Sequence, residues 1–197
     1  MREQGTYKHI LTEDSFTNLL PTDLKSISHL FFTPIEVAEL ATNWLTGNRE
    51  QKILDIGAGL GKFCISGARI STSNFYGVEH RKSLITIAEN LIKHFETINV
   101  TMIHKNILEV DFSEYDGFYF FNSFYENLET EQRLSDEVQL EEDLYQTYLD
   151  YTESQLNNLK IGTRLVTYYG NNFEVPNSYQ KVRDAFDGAL KLWIKME

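Results

Sequence analysis

Ile53-Leu54-Asp55-Ile56-Gly57-Ala58-Gly59-Leu60-Gly61 is the stretch that decides the fold of this chain. Aliphatic residues run into Asp55, and glycine then occupies every second position from 57 to 61. A segment with several apolar residues follows: Phe63, Ile65, Ala68 and Ile70. The pattern predicts a buried strand that turns sharply into a helix. Glycine at such a turn allows positive φ angles and lets a ligand approach the backbone closely.

The glycine spacing separates this loop from a dinucleotide-binding loop. That loop reads G-x-G-x-x-G and places a pyrophosphate at a helix N-terminus. Here Lys62 stands where the third such glycine would be. Asp55, at the end of the strand, also suits a positively charged ligand better than a pyrophosphate. The loop therefore favours a ligand other than a nicotinamide dinucleotide.

A second short apolar run, Phe75-Tyr76-Gly77-Val78-Glu79, also ends in a carboxylate. A carboxylate at the end of a strand can accept both hydrogen bonds of a ribose diol. After His80 and Arg81, apolar residues recur at i, i+3 and i+4 and predict an amphipathic helix. Further strands are predicted at 100–104, 118–122 and 163–169.

Two further sequence motifs predict a helix before the first strand and a hairpin near residue 188. Thr33-Pro34-Ile35-Glu36 predicts a helix start, with Thr33 as the capping residue and Glu36 completing a capping box. Asp187-Gly188 lies between two predicted strands, 179–186 and 189–196, and predicts a tight hairpin. We expect residues 1–32 to form an N-terminal cover segment and residues 33–197 to form a single domain.

The run from 53 to 61 resembles motif I of the class I S-adenosylmethionine-dependent methyltransferases, and the later segments follow in the order of that family. The resemblance covers residues 33–197. It implies an α/β, Rossmann-like class I methyltransferase fold. In that fold, a seven-stranded, mostly parallel sheet has an antiparallel C-terminal hairpin and helices on both faces.

A weaker, local likeness links the chain to the non-SET histone lysine methyltransferases. It rests on Gly77-Val78-Glu79, on Asn122-Ser123-Phe124 and on residues 162–166, which read Gly-Thr-Arg-Leu-Val. The long N-terminal helical region of those enzymes is not found in this sequence. The likeness therefore does not carry their substrate over to this chain.

The resemblance implies S-adenosylmethionine as cofactor and a set of residues that bind it. They are Asp55, Gly57, Ala58, Gly59, Gly61, Glu79, His80, Asn106, Ile107 and Asn122. Several have a simpler interpretation. Glu79 would otherwise be a solvated carboxylate at a helix start, His80 a side chain pointing into water, and Asn106 a turn residue. Asn122 and Tyr125 are weak candidates for a catalytic role, and no metal-ligand spacing is found.

Composition narrows the class of partner. The formal net charge is −11 and there is no run of Lys or Arg, which argues against nucleic acid as a substrate. Acidic residues cluster between 126 and 143, as either a solvated surface or one that attracts a cationic partner. The single cysteine, Cys64, is expected to be buried rather than reactive. With no signal peptide or membrane segment recognised, a cytoplasmic location is expected.

We therefore expect a methyltransferase acting on a small molecule or a basic protein side chain. Two alternatives stay open. One is a non-catalytic, methyltransferase-like module that binds the cofactor or a partner. The other is aminopropyl transfer, although the segment 122–127 has no Asp of the kind that chemistry uses. The Asn-Pro-Pro-Tyr motif of many amino-methyltransferases is absent, since residues 122–125 read Asn-Ser-Phe-Tyr.

Overall fold

The computed structural model describes residues 9–47, 49–128, 134–135, 137–138, 141–169 and 175–197. Strands and helices alternate through most of this part of the chain. The elements are α1 (Glu13–Asn18), α2 (Thr22–Phe31), α3 (Ile35–Thr46), β1 (Lys52–Ile56), α4 (Lys62–Ile70), β2 (Asn74–Glu79), α5 (Lys82–His94), β3 (Val100–His104), β4 (Gly117–Phe120), α6 (Glu142–Asn157), β5 (Arg164–Tyr168), β6 (Tyr179–Ala185) and β7 (Leu190–Lys195). Short 3₁₀ turns cover Ile107–Glu109, Phe112–Glu114 and Tyr125–Asn127.

The strands form one seven-stranded sheet in the order β3-β2-β1-β4-β5-β7-β6. Neighbouring strands from β3 to β5 are parallel, and β7 is antiparallel to both β5 and β6. The hairpin turns at Asp187 and Gly188, which both have positive φ. The predicted sheet, with its antiparallel C-terminal hairpin, is confirmed.

Both faces of the sheet are covered, because alternate residues of a strand point to opposite sides. Ile53 of β1 packs in one apolar cluster with Trp44 of α3 and Phe63 of α4. Its neighbour Leu54 packs in a second cluster with Leu156 of α6. The central strand β1 is therefore buried on both sides, as strands of parallel sheets usually are. Helices on both faces are confirmed.

The N-terminal helices pack against the helices that follow the first two strands. Phe16 of α1 and Leu24 of α2 share an apolar cluster with Ile65 of α4 and Leu91 of α5. Residues 12–32 thus lie against the elements that flank the glycine loop. The domain boundary after residue 32 stays a prediction.

The predicted cap of α3 is wrong. The helix is preceded by Pro34, and no side chain of its own segment caps it. Thr33 instead shares a 2.9 Å hydrogen bond with the phenol of Tyr119. The backbone N–H of Ile35 donates to Glu13 Oε1 at 2.6 Å, so a carboxylate from α1 satisfies the helix N-terminus. A partner 22 residues earlier in the chain replaces the local cap.

The order of the strands indicates which edge of the sheet binds ligands. The chain leaves β1 toward β2 and β3 on one side and later returns to β4 on the other. In open α/β sheets, ligands bind at the carboxyl ends of the strands where the strand order reverses. That place is the edge formed by the ends of β1, β2 and β4. Among the described residues, no helix has both the length and the apolarity needed to cross a membrane.

Candidate functional site

The glycine loop between β1 and α4 forms the floor of the site. Its glycines at 57, 59 and 61 have φ angles of +71°, +54° and +69°. A Cβ on Gly57 would lie 2.4 Å from the Cβ of Ser123, so the loop after β4 leaves no room for a side chain there. A Cβ on Gly59 would meet only the ring of Phe32, at 3.5 Å. Gly59 thus needs to be glycine for its φ angle and for access to the cleft beside it.

Two hydrogen bonds hold this loop against the end of β2. The N–H of Ala58 donates to the carbonyl of Val78 at 2.8 Å. The N–H of Gly59 donates to Glu79 Oε2 at 3.2 Å. The structure therefore brings together the glycine loop and the carboxylate of Glu79, both of which are predicted to bind the cofactor.

Glu79 belongs to a buried ionic triad with Arg81 and Glu126. Arg81 Nε lies 2.9 Å from Glu79 Oε1, and Arg81 Nη2 lies 3.2 Å from Glu79 Oε2. Arg81 Nη1 lies 2.7 Å from Glu126 Oε2, and the N–H of Leu134 donates to the other oxygen of Glu126 at 2.7 Å. Glu79 is only 2% exposed, so its interpretation as a solvated helix-start residue is wrong.

The triad places three charged side chains in a buried environment. Burial lowers the pKa of Arg81, but the two carboxylates raise it by more, so the guanidinium stays charged. Burial also lowers the pKa of the neighbouring His80. His80 is therefore neutral at pH 7 and can pack against an uncharged ring.

Sequence reasoning missed this triad. Arg81 and Glu126 lie 45 residues apart, and Glu126 stands at the start of a run of acidic residues that reads as solvated surface. The solvated interpretation is wrong for Glu126, which is 8% exposed. Of the same acidic run, Glu129, Glu131 and Asp136 lie outside the described residues.

A first cleft of about 430 Å³ opens between the ends of β2 and β4. It brings together predicted cofactor residues from three segments: Gly57, Glu79, His80, Asn106 and Ile107. Val78, Phe124 and Tyr148 add apolar and aromatic surface. A cleft that combines carboxylate and amide groups with apolar and aromatic walls suits a nucleoside.

Asn106 lines this cleft, but protein groups already occupy much of its amide. Its Oδ1 accepts from the N–H of Leu108 at 3.0 Å, which caps a 3₁₀ turn. Its Nδ2 donates to the hydroxyl of Tyr148 at 3.0 Å. Asn106 therefore acts as a turn residue through its Oδ1, and it also lines the cleft in which the cofactor is predicted to bind. Its contact with a ligand stays a prediction.

A second cleft, of about 750 Å³, lies on the other side of Arg81. Its walls come from α2, the glycine loop, and the segment after β4: Leu30, Phe31, Gly59, Phe121, Asn122 and Tyr125. Asn122 has a φ of +43°, the left-handed region that Asn tolerates better than most residues. Both weak catalytic candidates, Asn122 and Tyr125, thus line the second cleft and not the first. Gly57, Arg81, Ser123 and Glu126 line both.

Asp55 lies beneath the loop and is 4% exposed. Burial raises its pKa to about 8, against a smaller lowering by the thiol of Cys64, whose Sγ lies 3.6 Å from Oδ2. Glu79 raises the pKa further. The same burial raises the pKa of Cys64, and the expected burial of this cysteine is confirmed. Asp55 also lines a small pocket beside Thr33, Ala58 and Lys62.

We expect Asp55→Asn to flatten the pH dependence of stability. The folded protein holds a proton on Asp55 up to a pKa of about 8, whereas the unfolded chain releases it near 3.8. Because the folded state binds more protons in this window, Asp55 makes stability fall as pH rises, by up to about 1.4 kcal/mol per pH unit. Urea unfolding of both proteins between pH 5 and pH 8 measures the difference. Parallel curves would show that Asp55 titrates normally.

No group of three or more His, Cys, Asp or Glu residues in the described part of the chain could hold a metal ion. The arrangement is instead that of an organic-ligand site, built from the glycine loop, the buried ionic triad and apolar walls.

Comparison with known proteins agrees with this geometry. Residues 48–132 match the family described as methyltransferase domain. A search of curated proteins finds no significant match. An RNA methyltransferase from Salinibacter ruber, solved with S-adenosyl-L-homocysteine, is 18% identical with a TM-score of 0.55, over 84% of this chain and 94% of that one.

Two further structures share the fold. Precorrin-6y C5,15-methyltransferase from Geobacter metallireducens is 14% identical with a TM-score of 0.55, over 84% of this chain and 90% of that one. The [4+2]-cyclase SpnF is 15% identical with a TM-score of 0.51, over 68% of this chain and 43% of that one. The matched domain, the sheet order and the glycine loop together give this chain the Rossmann-like fold of class I methyltransferases.

Proposed function

We propose that the chain is an S-adenosylmethionine-dependent methyltransferase whose acceptor is a small molecule or a protein side chain. The observation that carries this proposal is the buried carboxylate of Glu79, bonded to the N–H of Gly59 at the reversal point of the sheet. A carboxylate held there by the glycine loop can accept the two hydroxyl groups of a ribose.

The residues present fit the cofactor. Glu79 would hold the ribose, and the first cleft would hold the adenine between His80 and Ile107. Asp55, beneath the loop, would ionise beside the positive charge of the methionine part, since an opposite charge favours the ionised carboxylate. Asn122 would then lie at the mouth through which the acceptor reaches the methyl group.

Methyl transfer requires little acid–base or nucleophilic chemistry from the side chains of the protein. The bound sulfonium supplies the electrophile. The protein must align the acceptor and exclude water. The aromatic walls of the second cleft, Phe31, Phe121 and Tyr125, can do both. A base is needed only if the acceptor carries a proton that must leave.

The described walls of the second cleft offer no free base. The carboxylate of Glu126 is paired with Arg81, and the amide of Asn122 does not accept protons near neutral pH. This favours an acceptor that reacts without losing a proton to the enzyme, such as a neutral amine or a group that is already deprotonated.

The cofactor is tested by titration calorimetry with S-adenosylmethionine, S-adenosylhomocysteine and NAD. We expect micromolar affinity for the sulfonium nucleoside and its product, about 8 kcal/mol of binding free energy, and no binding of NAD. Saturable binding of NAD alone would overturn the proposal. Turnover is tested with methyl-labelled cofactor against fractionated cell extract, where label should move to one fraction.

A second candidate is a module that binds the cofactor without transferring its methyl group. The absence of a free base in the described second cleft favours it, as does the same fold in a protein named a cyclase. Micromolar cofactor binding with no transfer to any extract fraction would support this candidate over the first.

We expect nucleic acid not to be the acceptor, although one structural neighbour is an RNA methyltransferase. Phosphate binding needs clustered Lys and Arg, and this chain has a net charge of −11. Fluorescence anisotropy with a duplex DNA and a structured RNA at physiological salt should give dissociation constants weaker than about 10⁻⁴ M. Tighter binding that weakens with added salt would instead reveal a basic face.

A further inference from the structure

Every acceptor position of Glu79 is occupied in this structure. A carboxylate offers about four lone-pair positions in all. On Oε1 they are taken by the backbone N–H and the Nε of Arg81, both at 2.9 Å. On Oε2 they are taken by the N–H of Gly59 and the Nη2 of Arg81, both at 3.2 Å. A ribose diol therefore cannot bind Glu79 unless one of these donors leaves.

The donors that can leave are those of the guanidinium. The N–H groups of Gly59 and Arg81 belong to the backbone of the loop and of the strand end, so they are fixed. Nε and Nη2 of Arg81 form a two-pronged contact on both carboxylate oxygens. A ribose diol also presents two donors to two oxygens. The guanidinium thus occupies the place that the diol needs.

Glu126 gives the displaced guanidinium a place to go. Nη1 of Arg81 already contacts Glu126 Oε2 at 2.7 Å, on the side away from Glu79. The backbone N–H of Leu134 holds the other oxygen of Glu126 at 2.7 Å. An arginine that is 5% exposed would be costly to leave unpaired, and Glu126 removes most of that cost.

We propose that Arg81 is a positioning residue that occupies the ribose site of Glu79 in the free protein and transfers to Glu126 when the cofactor binds. This inference rests on the proposed function. Because Arg81 lines both clefts, its transfer changes the wall of the second cleft as the first one fills. The acceptor site therefore takes its final shape only after the cofactor is bound, and binding is ordered with the cofactor first.

The direct test is a crystal structure with S-adenosylhomocysteine. We expect the ribose hydroxyls on Glu79, Nε and Nη2 of Arg81 beyond hydrogen-bond distance of Glu79, and Nη1 still on Glu126. A complex in which the ribose binds Glu79 while Nε and Nη2 stay in place would overturn the inference and leave the proposed function intact. If the full chain binds neither S-adenosylhomocysteine nor S-adenosylmethionine, the proposed function fails and the inference fails with it.

A variant tests the same exchange in solution. Glu126→Gln keeps the shape of the side chain but removes the charge that receives Arg81. Affinity for adenosine should fall about tenfold, because binding now strands a buried guanidinium. Affinity for 2′,3′-dideoxyadenosine should not change, because a nucleoside without the diol displaces nothing.

The ratio of these two affinities separates positioning from structural damage. A variant that merely loosens the cleft lowers both affinities equally and leaves the ratio unchanged, which would overturn the inference. Glu89→Gln, at an exposed position of α5, is the matched control and should change neither affinity.

Discussion

Gly59→Val is expected to abolish binding of S-adenosylhomocysteine while the domain still folds. Gly59 has a φ of +54° and lines the second cleft. A β-branched side chain disfavours that backbone angle and would fill the approach to the loop. A Cβ at this position meets only the ring of Phe32, at 3.5 Å. The free energy of unfolding should therefore fall by only about 1–2 kcal/mol, the cost of a left-handed residue. Typical domains have about 5–15 kcal/mol of stability, so the variant should still fold.

Gly188→Val is the matched control for this variant. Gly188 has a φ of +83° in the turn between β6 and β7, with no atom within 4 Å of a built Cβ. It should therefore lose a similar amount of stability and keep full cofactor affinity. Calorimetry measures binding, and circular dichroism with thermal unfolding measures the fold. Retained affinity in Gly59→Val would mean that the ligand does not approach this loop.

Glu79→Gln should lose both affinity and stability. Hydrogen bonds to a charged acceptor contribute about 1.5–3 kcal/mol each, so affinity for the cofactor should fall at least tenfold. The variant also breaks a buried pair, which costs up to about 3–5 kcal/mol, and Glu126 reduces this loss because it still pairs with Arg81. A solvated Glu79 would have left stability unchanged.

The two losses are measured separately, by calorimetry and by urea unfolding. Glu89→Gln again serves as the control and should change neither quantity. A variant that is destabilised but binds the cofactor as tightly as the wild type would show that Glu79 serves only the ionic triad.

Local patterns predicted the framework well. The third strand was expected at 100–104 and lies at Val100–His104, because apolar residues there are bounded by polar ones on both sides. The hairpin at Asp187-Gly188 was found from two residues whose backbone freedom is specific to tight turns. The glycine loop was found because three alternating glycines after an aliphatic strand have few other uses.

The features that were missed depend on partners distant in the chain. Thr33 has the right type and spacing for a cap, yet Glu13 takes that role and Thr33 bonds to Tyr119. Glu126 looks like one more residue of an acidic run, and only the fold shows that it lies against Arg81. Sequence spacing reports contacts along one element, whereas these contacts join elements that the sheet brings together.

The position of β7 in the sheet affects how the protein folds during its synthesis. This strand is formed by residues 190–195, later in the chain than β6, yet it lies between β5 and β6 in the sheet. Until these residues leave the ribosome, the apolar strand Leu165-Val166-Thr167-Tyr168 has an open edge and β6 has no neighbour to pair with. Open strand edges are sites of aggregation. During synthesis this protein therefore passes through a vulnerable interval that ends only when β7 inserts between β5 and β6.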